Sequence, residues 1–275
     1  MTASVLVIAG SDPGGGAGIQ ADIKTINSLG VYVAAAITCV TVQGSGGIRR
    51  AETLPPDLVR DQITAVLNDQ VISHVKIGML GNATTVSAVA EALAGFTGEV
   101  IIDPMLNATS GGCLLAPEAV DVLWRELLPL ATVLTPNLPE LEALTNTSGL
   151  CDDAATEAAV TTLFQRLPRL RVVVVKDGHG SNPLLVRDRC WYRKADGLGH
   201  WIHEHTRHPG HNTHGTGCTF ASAFAATHCL SNDDRQSFLA AVTFMDWLIG
   251  LSQNVSPLRD PTAVGPLSHH RLNAS

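Results

Sequence analysis

The segment Asn212-Thr-His-Gly-Thr-Gly-Cys218-Thr passes from a loop into the small-residue run Phe220-Ala-Ser-Ala-Phe-Ala-Ala. Glycines at 215 and 217 let consecutive backbone amides point at one spot, and the start of the following helix adds its partial positive charge. The turn is therefore an anion site by construction, suited to the γ-phosphate of a nucleotide. A cysteine in the first turn of such a helix is expected to have its thiol pKa lowered from about 8.5, which makes some thiolate available. A capping turn explains Thr216 alone but not Gly215-x-Gly217 followed by Cys218. A buried structural cysteine is the competing reading of Cys218.

Carboxylates and a lysine at strand ends form a second group. Asp103-Pro104 ends one apolar run and Asn137-Leu-Pro-Glu140 follows another. Their oxygens could hold a hydrated Mg²⁺, which usually takes only one or two carboxylates plus phosphate oxygens. For either carboxylate alone, helix-start capping is the plainer role. Lys176 closes Val172–Val175, where a cation beside phosphates makes sense, although a strand-end lysine is most often merely solvated. Near the start, Gly10-Ser-Asp-Pro-Gly-Gly-Gly-Ala-Gly18 is a glycine-dense turn into a helix. It lacks the dinucleotide-binding spacing, and a plain turn competes with a ligand-approaching one.

The elements that must position these residues are legible as short β-rich runs: Val5–Ile8, Ala34–Val42, Val75–Gly78, Val100–Ile102, Thr132–Leu134 and Val172–Val175. Apolar runs without polar alternation imply a parallel sheet buried on both faces. Covering helices are expected over Gln20–Leu29, Pro56–Asn68, Thr84–Ala94, Pro117–Leu130 and Ala154–Leu167. Leu184–Val186, Cys190–Arg193 and Trp201–His205 read as short strands of a later, antiparallel edge, followed by helices at Thr216–Leu230 and Asp233–Leu251. The fold class is α/β, a three-layer, doubly wound, mostly parallel sheet in a single domain over 1–257, with an irregular tail over 258–275. Ligands of such sheets collect beyond the carboxyl ends of the strands, where all the residues above fall.

The 275 residues carry a net charge of −7, with 45% hydrophobic and 16% charged residues. With no basic surplus, nucleic acid is not an expected partner. The apolar run after the N-terminus is short, lacks a basic leader and ends at Gly10-Ser-Asp-Pro, so it reads as a strand rather than a signal peptide. Val31–Val42 falls below the roughly 20 residues of a membrane span. Six cysteines (Cys39, Cys113, Cys151, Cys190, Cys218, Cys229) form no C-x-x-C pair. A reducing cytoplasm is the natural setting.

Several long segments in the same order resemble the ribokinase-like vitamin kinases, and within them the hydroxymethylpyrimidine/phosphomethylpyrimidine kinases of thiamine synthesis. They are Gly10-Ser-Asp-Pro-x-Gly-Gly-Ala-Gly-Ile-Gln-Ala-Asp-x-Lys-Thr25, Val75-Lys-Ile-Gly-Met-Leu80, Ile102-Asp-Pro104, Leu134-Thr-Pro-Asn-Leu-Pro-Glu140 and Thr213-His-Gly-Thr-Gly-Cys218-Thr. The resemblance spans nearly the whole chain. It implies an ATP- and Mg²⁺-dependent kinase acting on 4-amino-5-hydroxymethyl-2-methylpyrimidine and then on its monophosphate, in a dimeric, cytoplasmic protein.

By the same resemblance, Gly10, Ala17, Asp22, Gln43 and Met79 correspond to pyrimidine-site positions, and Met105 and His214 are counted with them. Asp103 and Glu140 fall at magnesium or phosphate positions, Lys176 and Thr213 at ATP positions with Asn137 beside them, and Cys218 at the catalytic base. Cys218 would take the hydroxymethyl proton as that oxygen attacks the γ-phosphorus, while the amides of Gly215, Thr216, Gly217 and Cys218 take up equatorial charge. Gln43 can pair with ring nitrogens through its amide, and Met79 offers a polarizable face to a small ring, or is simply packing.

The chain departs from the family pattern at three places. A usual lysine is Thr109, a usual glycine after Lys176 is Asp177, and Gln-Asn-Thr becomes Gln43-Gly44-Ser45, which predicts a looser loop. Asp177 would place an anion near nucleotide phosphates unless it turns to solvent or metal. His200, His203, His205, His208, His211 and His214 could suggest zinc, but no helical pair or Cys partner accompanies them, and a solvated strand and loop is the better reading. Three alternatives stand beside the main one: a pyridoxal-type kinase of the same fold, a catalytically weak pyrimidine-binding protein, and a nicotinamide dehydrogenase, which the late position of the phosphate turn disfavours.

Overall fold

The computed structural model describes residues 3–106, 114–150, 152–178, 182–210, 212–253, 257–260 and 262–272. Thr109, Cys113, Cys151, His179 and His211 lie outside them.

Nine strands form one sheet. In chain order they are β1 (Ser4–Ser11), β2 (Tyr32–Gly44), β3 (Gly47–Thr53), β4 (His74–Ile77), β5 (Glu99–Ile102), β6 (Val133–Leu134), β7 (Val172–Val175), β8 (Leu185–Lys194) and β9 (Gly197–Thr206). Their spatial order is β3-β2-β1-β4-β5-β6-β7-β8-β9. The six central strands from β2 to β7 run parallel. β3 at one edge and β8 and β9 at the other are antiparallel. β1 lies between β2 and β4, so the winding reverses direction beside it, and a crevice opens there at the carboxyl ends of the strands.

Helices cover both faces, as continuous apolar strands require. On one face, α2 (Pro56–Asp69), α3 (Ala83–Leu93), α5 (Leu138–Thr145) and α6 (Asp153–Arg166) join a core with Leu6, Ile8, Ile77, Ile102, Leu134 and Val173. On the other, α1 (Gly18–Ser28), α7 (Thr216–Ser231) and α8 (Asp234–Ser252) pack Ile26, Phe224, Phe238 and Val242 against Val5, Val7, Val172 and Val174. Alternate residues of the same valine run thus feed opposite cores, the period-2 signature of a strand covered on both sides.

Three sequence expectations need correction. The helix expected over Pro117–Leu130 is α-helical only in α4 (Ala119–Val122), then passes through a π turn at Leu123–Leu127 and a 3₁₀ turn at Leu128–Leu130. Pro129 in its last turn has no amide to donate, which suits a helix end. The two short runs Leu184–Val186 and Cys190–Arg193 are parts of one strand, β8. The segment after Gln43 is not a loose loop: Ser45-Gly46 is a two-residue turn, and Gly47, at φ +98°, starts β3. The described residues of the C-terminal segment are irregular apart from a 3₁₀ turn at His269–Arg271, and they are packed: Leu267, Ser268 and His269 are buried, and His269 Nε2 lies 3.0 Å from Thr219 Oγ1 on α7.

Candidate active site

A cavity of about 280 Å³ opens at the carboxyl ends of β1, β4, β5 and β7, where the sheet winding reverses. A larger, shallower depression of about 710 Å³ lies on the outer face of α8 around Leu239, Phe244 and Trp247. It shares no residue with the strand-end cavity, and none of the sequence-derived site residues reaches it.

The wall beneath the cavity is built by Asp12, which the sequence reading quoted in a motif but did not single out. Its Oδ1 accepts from Gly14 N at 2.8 Å, and its Oδ2 from Gly16 N at 3.1 Å and Ala17 N at 2.9 Å. His214 Nε2 approaches the same Oδ2 at 2.9 Å, which ties the first glycine turn to the last. Burial pushes the Asp12 carboxyl up, but the His214 contact and the backbone amides outweigh it and hold its pKa below the ordinary value.

The two turns interlock through backbone. Gly215 caps α7 at φ +92°, and a Cβ there would stand 1.8 Å from Gly16 O, so only glycine fits. As cap, it offers no side chain to the first-turn amides of α7, and no acidic residue sits in that turn. Of those amides Thr216 N donates to Thr213 O at 3.3 Å, and the Gly217 and Cys218 amides can meet an anion.

Opposite the amides stand the strand-end charges. Asp103 Oδ1 accepts from Lys176 Nζ at 2.7 Å and from Thr135 Oγ1 at 3.1 Å. Its Oδ2 is buried without a hydrogen-bond partner among the described residues. A Cβ on Gly217 would lie 3.2 Å from that oxygen and 3.4 Å from Lys176 Nζ, so the missing side chain lets the α7 turn approach the pair closely. Burial lowers the Lys176 pKa, but Asp103 and Glu140 together raise it above its usual value, and the ammonium stays charged. Glu140 and Asn137 form a reciprocal cap at the start of α5, with Glu140 N to Asn137 Oδ1 and Asn137 N to Glu140 Oε2 both 2.9 Å. Burial, reinforced by Asp103, pushes the Glu140 carboxyl up to about 7 despite Lys176.

Two carboxylates could hold a magnesium ion here: Asp103 has an unmatched buried oxygen, and Glu140 is a second buried carboxyl at the same strand ends. That donor set suits a hard oxygen-seeking ion that keeps most of its waters or phosphate oxygens.

At the other end of the cavity, Met79, Met105, Leu114 and Ile48 make an apolar slot with Cys39 beneath. Met105 adopts φ +43°, a strained conformation for a non-glycine residue, and brings its Sδ to 3.5 Å from Cys218 Sγ. Gln43 overhangs this slot from β2, with one carboxamide atom 3.2 Å from His214 Nε2.

A model of the family described as phosphomethylpyrimidine kinase matches residues 12–262. The chain belongs to the phosphomethylpyrimidine kinase family. It is 39% identical to a hydroxymethylpyrimidine/phosphomethylpyrimidine kinase of Haemophilus influenzae, over 94% of this chain and 95% of that one. Its identity to the Bacillus subtilis protein of the same name is 37%, over 98% and 97%. Among solved structures, a pyridoxal kinase of Staphylococcus aureus in complex with pyridoxal superposes with a TM-score of 0.84 at 26% identity, covering 99% of this chain and 95% of that one. A phosphomethylpyrimidine kinase of Clostridium difficile gives 0.75 at 28% identity, over 90% and 99%.

Of the positions the family resemblance singles out, Gly10, Ala17, Gln43, Met79, Met105, Asp103, Asn137, Glu140, Lys176, Thr213, His214, Gly215, Thr216, Gly217 and Cys218 all line the one cavity. Asp22 does not. It is fully buried, with both carboxylate oxygens on Lys76 Nζ at 2.8 and 2.9 Å and Oδ1 also accepting from Ser222 Oγ at 2.8 Å. Lys76, equally buried, was not anticipated as a partner, because the two residues are 54 positions apart.

The expectation of a lowered Cys218 pKa is overturned. The thiol is 1% exposed, and burial, with Asp22 and Asp103 adding to it, pushes its pKa up to about 12 against the pull of Lys76. Desolvation outweighs the helix dipole. Asp177, feared as an anion beside phosphates, turns away instead: its Oδ2 accepts from Arg187 N on β8 at 3.2 Å. Of the histidine series, His205 and His208 sit at the far rim of the cavity beside Asp188 and Asp246, with His208 Nε2 2.8 Å from Asp246 Oδ1. Among the described residues no group of three or more His, Cys, Asp and Glu is placed to hold a metal ion.

Proposed function

We propose that this protein transfers the γ-phosphoryl group of ATP to the hydroxymethyl oxygen of 4-amino-5-hydroxymethyl-2-methylpyrimidine, and then phosphorylates the resulting monophosphate to the diphosphate, in thiamine biosynthesis. The observation that carries this reading is the close approach of the first-turn amides of α7 to the Asp103–Lys176 pair, with an apolar, ring-sized slot beside them.

Positioning and charge stabilisation do most of the work in phosphoryl transfer. The amides of Gly217 and Cys218 receive the equatorial oxygens of the transferring group, and Lys176 supplies fixed positive charge at the same place. Asp103 and Glu140 would hold magnesium, which when bound offsets phosphate charge and orients the triphosphate. Met79 and Met105 clasp the ring, and Gln43 reads its polar edge.

Cys218 takes the hydroxymethyl proton. Its burial makes the thiolate rare in the free site, so this reading predicts a rate that climbs toward alkaline pH. The same reading carries a cytoplasmic, dimeric enzyme; among the described residues no helix is long and apolar enough to cross a membrane.

The likeness to pyridoxal kinase makes pyridoxal the competing acceptor. Side-by-side ATP consumption with the pyrimidine alcohol and with pyridoxal separates the two. A higher kcat/KM for the pyrimidine is expected, and a higher one for pyridoxal would reverse the assignment.

A further inference from the structure

Lys76 and Asp22 are fully buried, and neither lines the cavity. A buried ion pair is a poor stabiliser in itself, since apolar residues of similar volume commonly do as well. The place of this pair supplies a reason for it. α1 and α7 lie side by side and run in the same direction, because Gly18 meets Cys218 and Asp22 meets Ser222. The Gly18 amide points at Cys218 Sγ, and one turn further along both helices Ser222 Oγ donates to Asp22 Oδ1 at 2.8 Å. Cys218 thus stands one turn, about 5.4 Å of helix, nearer the cavity than the Asp22–Ser222 contact.

Lys76 occupies the interval. Its Nζ donates to both Asp22 oxygens, at 2.8 and 2.9 Å. It also reaches up its own strand: a Cβ on Gly78 would lie 3.1 Å from Nζ and 3.4 Å from Met105 Sδ. Met105 Sδ is itself 3.5 Å from Cys218 Sγ. The ammonium is therefore held between the Asp22 carboxylate and the two sulfurs. Lys76 is fully buried and Cys218 is 1% exposed, so bulk water does not screen one from the other. Asp103 and Lys176 face the same sulfur from the strand ends. Burial raises the Cys218 pKa most, Lys76 draws it back, and Asp22 and Asp103 push it further up.

We propose that Lys76 is the resident countercharge of the Cys218 thiolate, and that Asp22, anchored by Ser222, holds this ammonium beneath the sulfur. This role rests on the function proposed above. In the transfer step the hydroxymethyl proton passes to Cys218 Sγ and the alcohol oxygen bonds to the γ-phosphorus. The bond from that phosphorus to the bridging oxygen breaks, and its electron pair leaves with ADP. The sulfur enters the step as thiolate and ends it as thiol, so a cation fixed below it sets how much of the starting form is present. Lys76 touches neither alcohol nor nucleotide. It acts through Cys218 and is a positioning residue.

Alkylation of Cys218 by iodoacetamide, followed by mass spectrometry of its peptide between pH 7 and 10, reads the thiolate in the substrate-free protein. Lys76→Met should slow it about tenfold at a given pH. Asp22→Asn keeps an oxygen for Lys76 and Ser222 but removes the anion, and should speed it about tenfold. A pair that only held the fold together would act otherwise, because loosening either partner exposes the thiol and speeds both. Both variants faster, or both unchanged, would overturn the proposal. Should Lys76→Met fail to fold, the double variant Asp22→Asn/Lys76→Met, which leaves neither charge behind, takes its place. It differs from Asp22→Asn only at Lys76 and should be alkylated about tenfold more slowly than that variant, whereas equal rates would overturn the proposal. In turnover, kcat should fall about tenfold in Lys76→Met with the KM for ATP nearly unchanged, and a raised KM with an unchanged kcat would overturn it as well. If the native protein phosphorylated neither pyrimidine alcohol nor its monophosphate, the functional reading would fall, while the alkylation rates would still decide whether Lys76 governs the thiol.

Discussion

Lys176 Nζ lies 2.7 Å from Asp103 Oδ1 and closes that oxygen, while Asp103 Oδ2 stays buried and unpartnered beside Gly217. One half of the carboxylate thus positions the lysine, and the proposed function assigns the other half to a cation that accompanies the phosphates. Asp103→Asn keeps the shape and removes the charge. It should raise the Mg²⁺ concentration for half-maximal rate by about 10²-fold. A magnesium titration of the initial rate checks this, and an unshifted midpoint would remove Asp103 from the metal site.

The two glycines of the α7 turn should fail differently. Gly215→Ala puts a methyl into the Gly16 carbonyl at a positive φ, which costs more than about 1 kcal/mol and should lower the Tm of the whole protein. Gly217→Ala meets only side-chain ends at 3.2 and 3.4 Å, so it should fold normally yet lose about 10²-fold in kcat, because the added methyl wedges the amide turn away from Asp103 and Lys176. Thermal melts beside steady-state kinetics separate the two outcomes. Similar melts with similar rates for both variants would contradict the assignment.

Cys218, with its thiol pKa at about 12, should react slowly with iodoacetamide at neutral pH, and the rate should climb about tenfold per pH unit without levelling off below pH 10. As a base it must be deprotonated to accept, so kcat should also rise with pH. Cys218→Ala should lower kcat by about 10²–10⁴-fold, flatten that rise and leave the KM for ATP nearly unchanged. A native kcat that is level from pH 7 to 9 would exclude the cysteine as the base.

Glu140 ties stability to pH in the direction opposite to a salt-bridged acid. Its folded pKa of about 7 lies above the unfolded value of 4.5, so the folded chain binds the extra proton between those values. The stability this provides is present below pH 4.5 and lost as pH rises through 7, by an amount of the order of a few kcal/mol. Glu140→Gln mimics the protonated form and keeps an acceptor for Asn137 N. It should therefore raise the Tm more at pH 8 than at pH 5 while reducing turnover. Equal Tm shifts at the two pH values would show that Glu140 is not held protonated by its surroundings.

Much of this was legible in the residues because it is local. The valines of β7 announce a doubly covered strand, and Gly215-x-Gly217 before a small-residue run announces the turn that opens α7. What escaped depends on long-range placement. β3 is hidden by its glycine-rich entry and by its exposed Arg49, Arg50 and Glu52, which look like loop. α5 has only eight residues with Pro139 in its first turn, so its apolar period is too short to register, although helix-start capping was already the plainer reading of Glu140. The Cys218 pKa was misjudged because the helix terminus is visible in the sequence while the burial that outweighs it is not. Asp22 sits within a recognisable segment, yet its partner Lys76 comes from another strand, and together they form a fully buried pair below the cavity rather than a contact inside it.

The central claim is that the α7 amide turn grips a phosphoryl group while the methionine slot presents an alcohol to it. The most direct measurement incubates the protein with ATP, Mg²⁺ and either 4-amino-5-hydroxymethyl-2-methylpyrimidine or its monophosphate, and follows products by ³¹P NMR. The account predicts ADP together with a new phosphomonoester from the first and a pyrophosphate ester from the second, in amounts equal to the ATP consumed. ADP with free phosphate and no phosphorylated pyrimidine would contradict it.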